Sequence, residues 1–210
     1  LTAMNQIILV IILFSIINHA DGQKNCALLV IDVQNFYFPG GRSELVEPEK
    51  AAGKAAMAIR EARKTGMPVI FVQHQAAEGM EIHELVAPQP GEKIFIKTEV
   101  NSFLGTGLKE YVDGLSVDTL VICGMQTQMC VEAAVRAAHD FGYKVILLHD
   151  ACATRNLKFG DREVSAADVH DSTLATLRSY GTVVPVAEWV GKMQGIRSEE
   201  RRVGKECRSR

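Results

Sequence analysis

The sequence lacks the closely spaced cysteine pairs that are typical of zinc sites and redox motifs. Its 210 residues include five cysteines, but no C-x-x-C pair and no spacing typical of a zinc site. Cys207 belongs to a polar segment at the end of the chain. Three of the other four lie in or beside apolar runs, where a free cysteine behaves as a small hydrophobic side chain. We therefore expect no framework of structural disulfides.

An excess of positive charge is missing as well. The formal net charge is −2. Residues 197–210 carry a net charge of +3, so the rest of the chain carries −5. A mildly acidic protein attracts nucleic acid poorly over long distances. We expect no nucleic-acid partner.

Nucleotide-binding and serine-hydrolase motifs are also absent. The Gly-Thr-Gly at residues 105–107 lacks the spacing of a dinucleotide fingerprint or a phosphate loop and is typical of a turn that enters a helix. The His-Asp pairs at residues 149–150 and 170–171 have no serine nucleophile motif near them. We expect no cofactor.

The two ends differ in composition from the rest of the chain. Residues 4–17 contain the apolar run IILVIILFSII, which has the length of a signal-peptide core and is short for a membrane span. Small residues suited to cleavage follow at Ala20 and Gly22. We interpret residues 1–22 as a translated leader and a secretory signal peptide, so the mature protein is expected to be secreted and free of the membrane. The alternatives are a signal anchor or a buried first strand.

The last segment, residues 197–210 with the sequence RSEERRVGKECRSR, has no apolar face that could pack. It also resembles the translation of a sequencing-adapter read-through. We expect an unstructured tail that is an artefact of transcript assembly.

Between the ends, apolar runs alternate with helical patterns in a composition that is ordinary for a globular protein. The predicted strands are residues 26–33, 69–73, 93–97, 119–124, 145–148 and 182–184, and the predicted helices are residues 48–64, 108–115, 129–141, 165–180 and 185–193. Residues 74–92 are predicted to be a surface excursion or partial lid, and residues 150–160 a loop. The alternation predicts one α/β domain, residues 24–196, with a doubly wound, Rossmann-like, mostly parallel sheet and helices on both faces.

Cys130 lies at the centre of this pattern, at the turn between a predicted strand and a helix. Ligands of parallel α/β sheets bind beyond the carboxyl ends of the strands. The first turn of a helix favours a thiolate, because its backbone N–H groups are unpaired and its macrodipole is positive there. We therefore expect chemistry at this thiol.

Asp32 and Lys97 each close another apolar run, so we expect them at the same edge of the sheet as Cys130. Taken singly, a strand-end Asp is usually a turn former, a Lys a surface charge and a Cys a core residue. Together they suit nucleophilic catalysis, because a carboxylate can take the thiol proton and an ammonium can hold the thiolate.

Three segments resemble the isochorismatase-like cysteine hydrolase family: DVQNFYFPGG from residue 32, KTEVNSFLGTGL from residue 97 and VICGMQTQMCVEAAVRAAHDFGYKVILLHDACAT from residue 121. The resemblance runs from about Cys26 to Trp189. It implies a catalytic triad of Asp32, Lys97 and Cys130.

The resemblance also implies a cis peptide bond at Met125-Gln126, which would direct the N–H groups of Gln126 and Cys130 into an oxyanion hole. Family members that cleave isochorismate do not depend on the cysteine, so its presence favours hydrolysis of a C–N bond. Family members usually assemble as oligomers, and a homo-oligomer is expected.

We predict that a small-molecule substrate contacts polar and aromatic side chains near the triad: Gln34, Phe36, Tyr37, Phe38, Phe103 and Gln126. Phe36 stands where relatives often have an acidic residue, and the aromatic residues form either a wall of the site or packing under the loop. Gln126 and Gln128 would offer hydrogen bonds to a polar substrate.

Nicotinamidases of the family carry a metal site with an Asp-x-His motif and a second His after the second strand. This chain has Gln73-His74-Gln75 and an isolated His83 instead. We therefore predict no metal, and expect both histidines to face solvent or line the pocket.

The sequence thus favours a cysteine hydrolase that cleaves a small amide, carbamoyl or ureide compound through a thioester. Three alternatives stay open: a secreted ligand-binding pseudoenzyme, an isochorismate-type or nicotinamide hydrolase, and a reversible redox thiol. The redox hypothesis requires a resolving cysteine close to Cys130, and near it in sequence stands only Cys123, which is expected to point elsewhere.

Overall fold

The computed structural model describes residues 25–195 and Ser198. The predicted leader and signal peptide lie outside these residues, and so does the predicted tail apart from Ser198. The main sheet contains six strands: β1 (Cys26–Ile31), β2 (Val69–His74), β3 (Lys93–Lys97), β4 (Thr119–Met125), β5 (Lys144–Ala153) and β8 (Thr182–Val184). Their order is β3-β2-β1-β4-β5-β8, and all neighbours are parallel. This confirms the predicted doubly wound sheet.

The helices cover both faces of the sheet, as predicted. They are α1 (Pro48–Thr65), α2 (Leu108–Gly114), α3 (Glu132–Asp140), α4 (Ala166–Leu177) and a final helical segment, α5, at residues 186–195. One core cluster joins α1 and α5 to the sheet, and the other joins α2, α3 and α4 to its opposite face. None of the helices between residues 25 and 195 is long and apolar enough to span a membrane.

Helix α1 illustrates how the sequence sets these elements. Pro48 occupies its first turn, where a missing N–H costs nothing. The small side chains Ala51, Ala55 and Ala58 form a buried stripe that lies close to the sheet. Gly66 ends the helix in the left-handed region at φ 75°, where its N–H donates to backbone carbonyls of the last turn.

The segment that was predicted to be a loop, residues 150–160, is partly strand. Pairing between β4 and β5 shifts register after Ile122 and resumes with Gly124 opposite Cys152, so β5 continues to Ala153. Beyond it, β6 (Leu157–Phe159) and β7 (Arg162–Val164) form an antiparallel hairpin outside the main sheet. The loop prediction was wrong because the extension of β5 depends on pairing with a distant strand.

The segment that follows β2 is the predicted irregular excursion. It contains a short 3-10 turn, Glu84–Val86, and an isolated bridge from Ile82 to Gln34. At its far end, the Arg63 guanidinium donates two hydrogen bonds of 2.8 Å to the carboxylate of Glu92. Such bidentate pairs hold both groups in one geometry. The excursion therefore leaves the carboxyl edge of the sheet after β2 and is anchored by this pair at the amino edge, where β3 begins.

Candidate active site

Four polar side chains come to the carboxyl edge of four neighbouring strands. Asp32 follows β1, His74 ends β2, Lys97 ends β3, and Cys130 follows β4 within the π-helical turn Thr127–Val131. The strand order reverses between β1 and β4, which is where open α/β sheets bind ligands. The structure thus brings the three predicted triad residues together and adds a histidine to them.

The ammonium of Lys97 is the centre of this group. Its Nζ lies 2.8 Å from Oδ2 of Asp32 and 3.2 Å from Sγ of Cys130. It also lies 3.1 Å from Nδ1 of His74 and donates to the carbonyl oxygen of Glu99 at 3.1 Å. Lys97 is 1% exposed and Asp32 is 0% exposed, so salt and water screen these contacts little. One ammonium therefore bridges a carboxylate and a thiol.

The carboxyl group of Asp32 is placed by an unusual backbone conformation. Asp32 has φ 50°, in the left-handed region, and its N–H donates to the carbonyl of Val72 at 2.9 Å. The carboxylate forms an ion pair with the Lys97 ammonium and also interacts with the thiol of Cys130. Burial raises the pKa of Asp32, and the charge of Lys97 opposes that rise. A carboxylate with a raised pKa is a stronger base.

The thiol of Cys130 has a raised pKa although it lies at the start of a helix. It lies in the first helical turn, but its pKa is raised to about 12, first by burial and then by the charge of Asp32, against the opposing charge of Lys97. Desolvation and a neighbouring carboxylate outweigh the helix terminus, so the thiol requires a base, and Asp32 is the adjacent one.

The turn between β4 and Cys130 carries the predicted backbone feature. The Met125–Gln126 peptide bond is cis. The carbonyl of Gln126 accepts hydrogen bonds from the N–H groups of Met129 at 3.1 Å and Val131 at 3.2 Å, which fold the turn back over β4. Gly124 precedes the turn with φ 129°, and a Cβ there would lie 1.9 Å from the carbonyl oxygen of Ile31. Only glycine fits this position.

Gln34 was predicted to contact substrate, but its side chain is occupied by the backbone. Its Oε1 accepts from the N–H of His74 at 2.8 Å, while its Nε2 donates to the carbonyls of His74 at 2.9 Å and Met80 at 2.6 Å. Gln34 is 0% exposed. We correct its role to that of an anchor between β1 and the excursion after β2.

The aromatic residues after β1 divide into different environments. Phe36 and Tyr37 pack edge to face with ring centroids 4.3 Å apart, and Phe38 stacks on the ring of His83 at 3.6 Å. All three are buried in the α1 side of the core. Packing under the loop therefore accounts for Phe38.

Phe103 does not join this group. It belongs to the core cluster on the opposite face of the sheet, where its ring lies 5.4 Å from Phe141 and 6.5 Å from Tyr143. The residues of the predicted aromatic wall are thus divided between two core clusters, and Phe103 shares its cluster with Cys130.

A line of amides extends from the catalytic turn. Gln128 donates through Nε2 to Oε1 of Gln126 at 3.2 Å, and its own Oε1 accepts from the hydroxyl of Thr154 at 2.5 Å. Burial raises the pKa of the Tyr37 hydroxyl, the Gln126 side chain opposes that rise, and the charges of Cys130 and Asp32 add to it. Tyr37 therefore lies close to Gln126 and to the triad, and the substrate contact of both residues stays a prediction.

Neither histidine after β2 sits in a metal site. Nδ1 of His74 is turned toward Lys97, and Nδ1 of His83 accepts from the N–H of Leu85 at 3.3 Å. Within residues 25–195 and Ser198, no three His, Cys, Asp or Glu side chains come together in a group that could hold a metal ion. The contact between His74 and Lys97 was missed from sequence. Its one signal is that both residues close adjacent strands.

The other described cysteines form no disulfide with Cys130. The four cysteines between residues 25 and 195 are free thiols. Cys123 lies in the core cluster on the opposite face from Cys130. Cys152 lies on the same face, but it is buried and its Sγ donates to the carbonyl of Leu148.

Two cavities lie near this edge of the sheet. One, of about 330 Å³, is lined by Asn35, Phe36, Pro39, Gly40, Gly41, Arg42, Glu78 and Gly79. The other, of about 310 Å³, lies between α1, the end of β5 and α4, with Lys54, His149, Thr154 and His170 in its wall. The triad lines neither cavity. The cavity of about 330 Å³ is formed partly by the loop that directly follows Asp32 of the triad.

Comparison with known proteins agrees with this architecture. Residues 26–188 match the model of the isochorismatase domain. The isochorismatase family protein YddQ of Bacillus subtilis is 43% identical over 169 residues, covering 75% of this chain and 94% of YddQ. A streptothricin hydrolase of Streptomyces noursei is 33% identical over 172 residues, covering 78% of this chain and 58% of that enzyme.

Among solved structures, a putative isochorismatase hydrolase from Oleispira antarctica superposes with a TM-score of 0.78 at 38% identity, covering 80% of this chain and 97% of that one. Fold and relatives together define a hydrolase built on a doubly wound sheet. The chain belongs to the isochorismatase family, which confirms the resemblance drawn from its motifs.

Proposed function

We propose that this hydrolase uses Cys130 to cleave a C–N bond of a small amide, carbamoyl or ureide substrate through a thioester. The observation that carries the proposal is the position of Lys97 Nζ, 2.8 Å from Asp32 and 3.2 Å from Cys130. A buried ammonium between a base and a thiol lowers the cost of forming a thiolate when the proton moves to the carboxylate.

The acylation step follows from this geometry. Asp32 takes the proton of the Cys130 thiol, and the sulfur attacks the substrate carbonyl carbon to form a tetrahedral intermediate. The oxyanion is proposed to accept hydrogen bonds from the N–H groups of Gln126 and Cys130, each worth about 3 to 4 kcal/mol of barrier in comparable enzymes. Asp32 then donates its proton to the departing nitrogen, the C–N bond breaks, and a thioester remains.

Deacylation uses the same groups in reverse order. Asp32, again a carboxylate, takes a proton from water as the water oxygen attacks the thioester carbon. The C–S bond breaks, and the proton held by Asp32 returns to the sulfur of Cys130. Lys97 keeps its charge throughout, so it stabilises each anionic state without exchanging a proton.

We propose that substrate reaches the triad from the cavity of about 330 Å³ beside Phe36 and Arg42. This volume suits a small molecule. The Arg42 guanidinium lies 5.4 Å from the centre of the Phe36 ring, so one wall combines an aromatic surface with a cation. Tyr37 and Gln126 are proposed to contact the scissile group. Phe38 packs on His83 in the α1 side of the core, and Phe103 lies in the core cluster on the opposite face.

A panel of small compounds tests the reaction class. Acetamide, benzamide, nicotinamide, N-carbamoylglycine and allantoin are assayed for release of ammonia or amine, with wild type and Cys130→Ala side by side. We expect turnover of at least one compound by the wild type and none by the folded variant. Equal turnover by both proteins would refute the cysteine mechanism.

We also propose that the chain is secreted and assembles as a homo-oligomer. The apolar run at residues 4–17 supports secretion. Exposed apolar side chains, including Ile96 and Leu104, support a contact between copies. Expression in insect cells tests both proposals. The protein in the medium is identified by N-terminal sequencing, and its mass from light scattering is compared with the mass of the processed chain. Retention of the protein in the cells would overturn the proposal of secretion. A mass equal to that of one chain would overturn the proposal of a homo-oligomer.

A further inference from the structure

His74 touches the Lys97 ammonium but has no part in the mechanism above. It ends β2 directly opposite Lys97 at the end of β3, and its Nδ1 lies 3.1 Å from Lys97 Nζ. Strand β2 lies between β3 and β1, so the imidazole stands between the strands that supply Lys97 and Asp32. Its backbone is fixed as well, because the Gln34 side chain bonds both its N–H and its carbonyl.

The contact determines which nitrogen of the ring carries a proton. A lysine ammonium has only N–H donors, so a ring nitrogen that faces it must accept. Nδ1 of His74 is then unprotonated, and the neutral ring carries its proton on Nε2.

The charged groups around His74 agree with a neutral ring. Burial lowers its pKa, and the charges of Lys97 and Arg42 lower it further, while Asp32 and Glu99 oppose them. The net direction is downward from the ordinary value. At neutral pH the ring is therefore uncharged and able to accept from Lys97.

The number of acceptors explains why this contact matters. Lys97 Nζ has three hydrogens and four neighbours within 3.2 Å: Asp32, Cys130, His74 and the carbonyl of Glu99. Asp32 and Cys130 exchange a proton during the proposed reaction, whereas the other two acceptors stay unchanged. His74 and the carbonyl of Glu99 hold the ammonium in place while the negative charge moves between Asp32 and Cys130.

We propose that His74 is a positioning residue, which accepts a hydrogen bond from Lys97 as the Nε2–H tautomer and keeps the ammonium between Asp32 and Cys130. This inference rests on the proposed function, because His74 acts through Lys97 and needs no contact with substrate.

Nuclear magnetic resonance tests the tautomer without any substrate. The full chain is labelled with ¹⁵N-histidine, and long-range ¹H–¹⁵N correlations identify the protonated nitrogen of each ring, with His74 assigned by the signal lost in His74→Asn. We expect the Nε2–H tautomer at neutral pH. An Nδ1–H tautomer or an imidazolium would overturn the inference, whatever the enzyme hydrolyses.

Kinetics test the positioning role with the panel compound that turns over fastest. Asparagine places its amide oxygen near the position of Nδ1, whereas leucine removes the acceptor. Loss of one hydrogen bond to a charged group predicts that His74→Leu lowers kcat by about 10-fold to 100-fold with little change in KM, and that His74→Asn recovers most of it. Equal kcat in His74→Leu and wild type, or no recovery in His74→Asn, would overturn the role.

His83 provides the matched control. It is also a partly buried histidine after β2, burial lowers its pKa, and its Nδ1 accepts a backbone N–H. It has no contact with Lys97 among the described residues. His83→Leu is expected to keep kcat within about 2-fold of wild type, which corresponds to less than 0.5 kcal/mol. If His74→Leu fails to fold, the tautomer and His74→Asn still decide the question. Loss of turnover in Cys130→Ala tests the hydrolase itself and is independent of the tautomer.

Discussion

Replacing Lys97 by methionine tests the electrostatics of the buried site. The substitution keeps the length of the side chain but removes the ammonium 2.8 Å from Asp32. Asp32 is 0% exposed, so it cannot turn to water. Removing one partner of a buried ion pair costs about 3 to 5 kcal/mol of stability. Asp32 avoids part of this cost by taking up a proton, because burial already raises its pKa.

The cost therefore depends on pH, and its sign follows from proton linkage. A carboxyl whose pKa is higher in the folded state binds more protons when folded, so the free energy of unfolding falls as pH rises between the unfolded and folded pKa values. Lys97 opposes the rise in the pKa of Asp32. Without Lys97 the folded pKa is higher still and the window is wider. The stability difference between wild type and Lys97→Met should thus be larger at pH 8 than at pH 5.

Urea unfolding followed by the fluorescence of Trp189, the single tryptophan, measures this difference at a fixed protein concentration. Lys109→Met is the matched control, because Lys109 pairs with Asp113 at 2.6 Å on the surface of α2. An exposed pair of this kind contributes little to stability, because water and salt screen it. Asp32→Asn combined with Lys97→Met should lose less stability than the sum of the single variants and show little pH dependence. A Lys97→Met protein that loses no more stability than Lys109→Met, or loses as much at pH 5 as at pH 8, would refute the reasoning.

Three further predictions concern the turn, the thiol and the anchor of the excursion. Gly124→Ala should lower the urea midpoint strongly, because the new Cβ would lie 1.9 Å from the carbonyl oxygen of Ile31. Gly53→Ala in α1 is the control: its Cβ would have no atom within 4 Å, and the variant should gain about 0.5 to 1 kcal/mol of stability. Equal urea midpoints for the two variants would count against the close packing of β1 and β4. Asp32→Asn should lower the pKa of Cys130 from about 12, because the Asp32 charge raises it. Iodoacetamide should then alkylate Cys130 faster at pH 8 while turnover stops, as measured by peptide mass spectrometry, and slower alkylation would contradict this. Gln34→Leu removes three hydrogen bonds to the backbone of His74 and Met80 and should lower the free energy of unfolding by about 2 to 4 kcal/mol. Deuterium exchange at the His74 amide should become faster. Unchanged exchange would contradict the role of Gln34 as an anchor.

Much of the fold was predictable because each buried strand is a continuous apolar run. The run from Cys26 ends in Asp32, and the run from Lys93 ends in Lys97, so the edge of the sheet was marked by the first polar residue after each run. The order of the strands then brought these residues together. The same local patterns predicted α1 and the N-cap of α4, where Ser165 accepts from the N–H of Asp168.

What the sequence did not predict depends on distant contacts. The continuation of β5 to Ala153 requires the register shift opposite Gly124, which no local pattern indicates. The raised pKa of Cys130 depends on burial and on Asp32, which lies almost one hundred residues away in sequence. The role of His74 depends on the register of β2 against β3. Each of these features arises only when strands pair.

The central claim is that Cys130 becomes covalently acylated during turnover. The most direct test mixes the enzyme with the panel compound that releases most ammonia or amine, quenches in acid within the first turnovers and measures the mass of the peptide containing Cys130, with hydroxylamine capture of the acyl group as a second readout. We predict an adduct on Cys130 with the mass of the substrate less its leaving amine, and no adduct in Cys130→Ala. Full turnover by a folded Cys130→Ala protein, or an acyl group on another residue, would contradict the account.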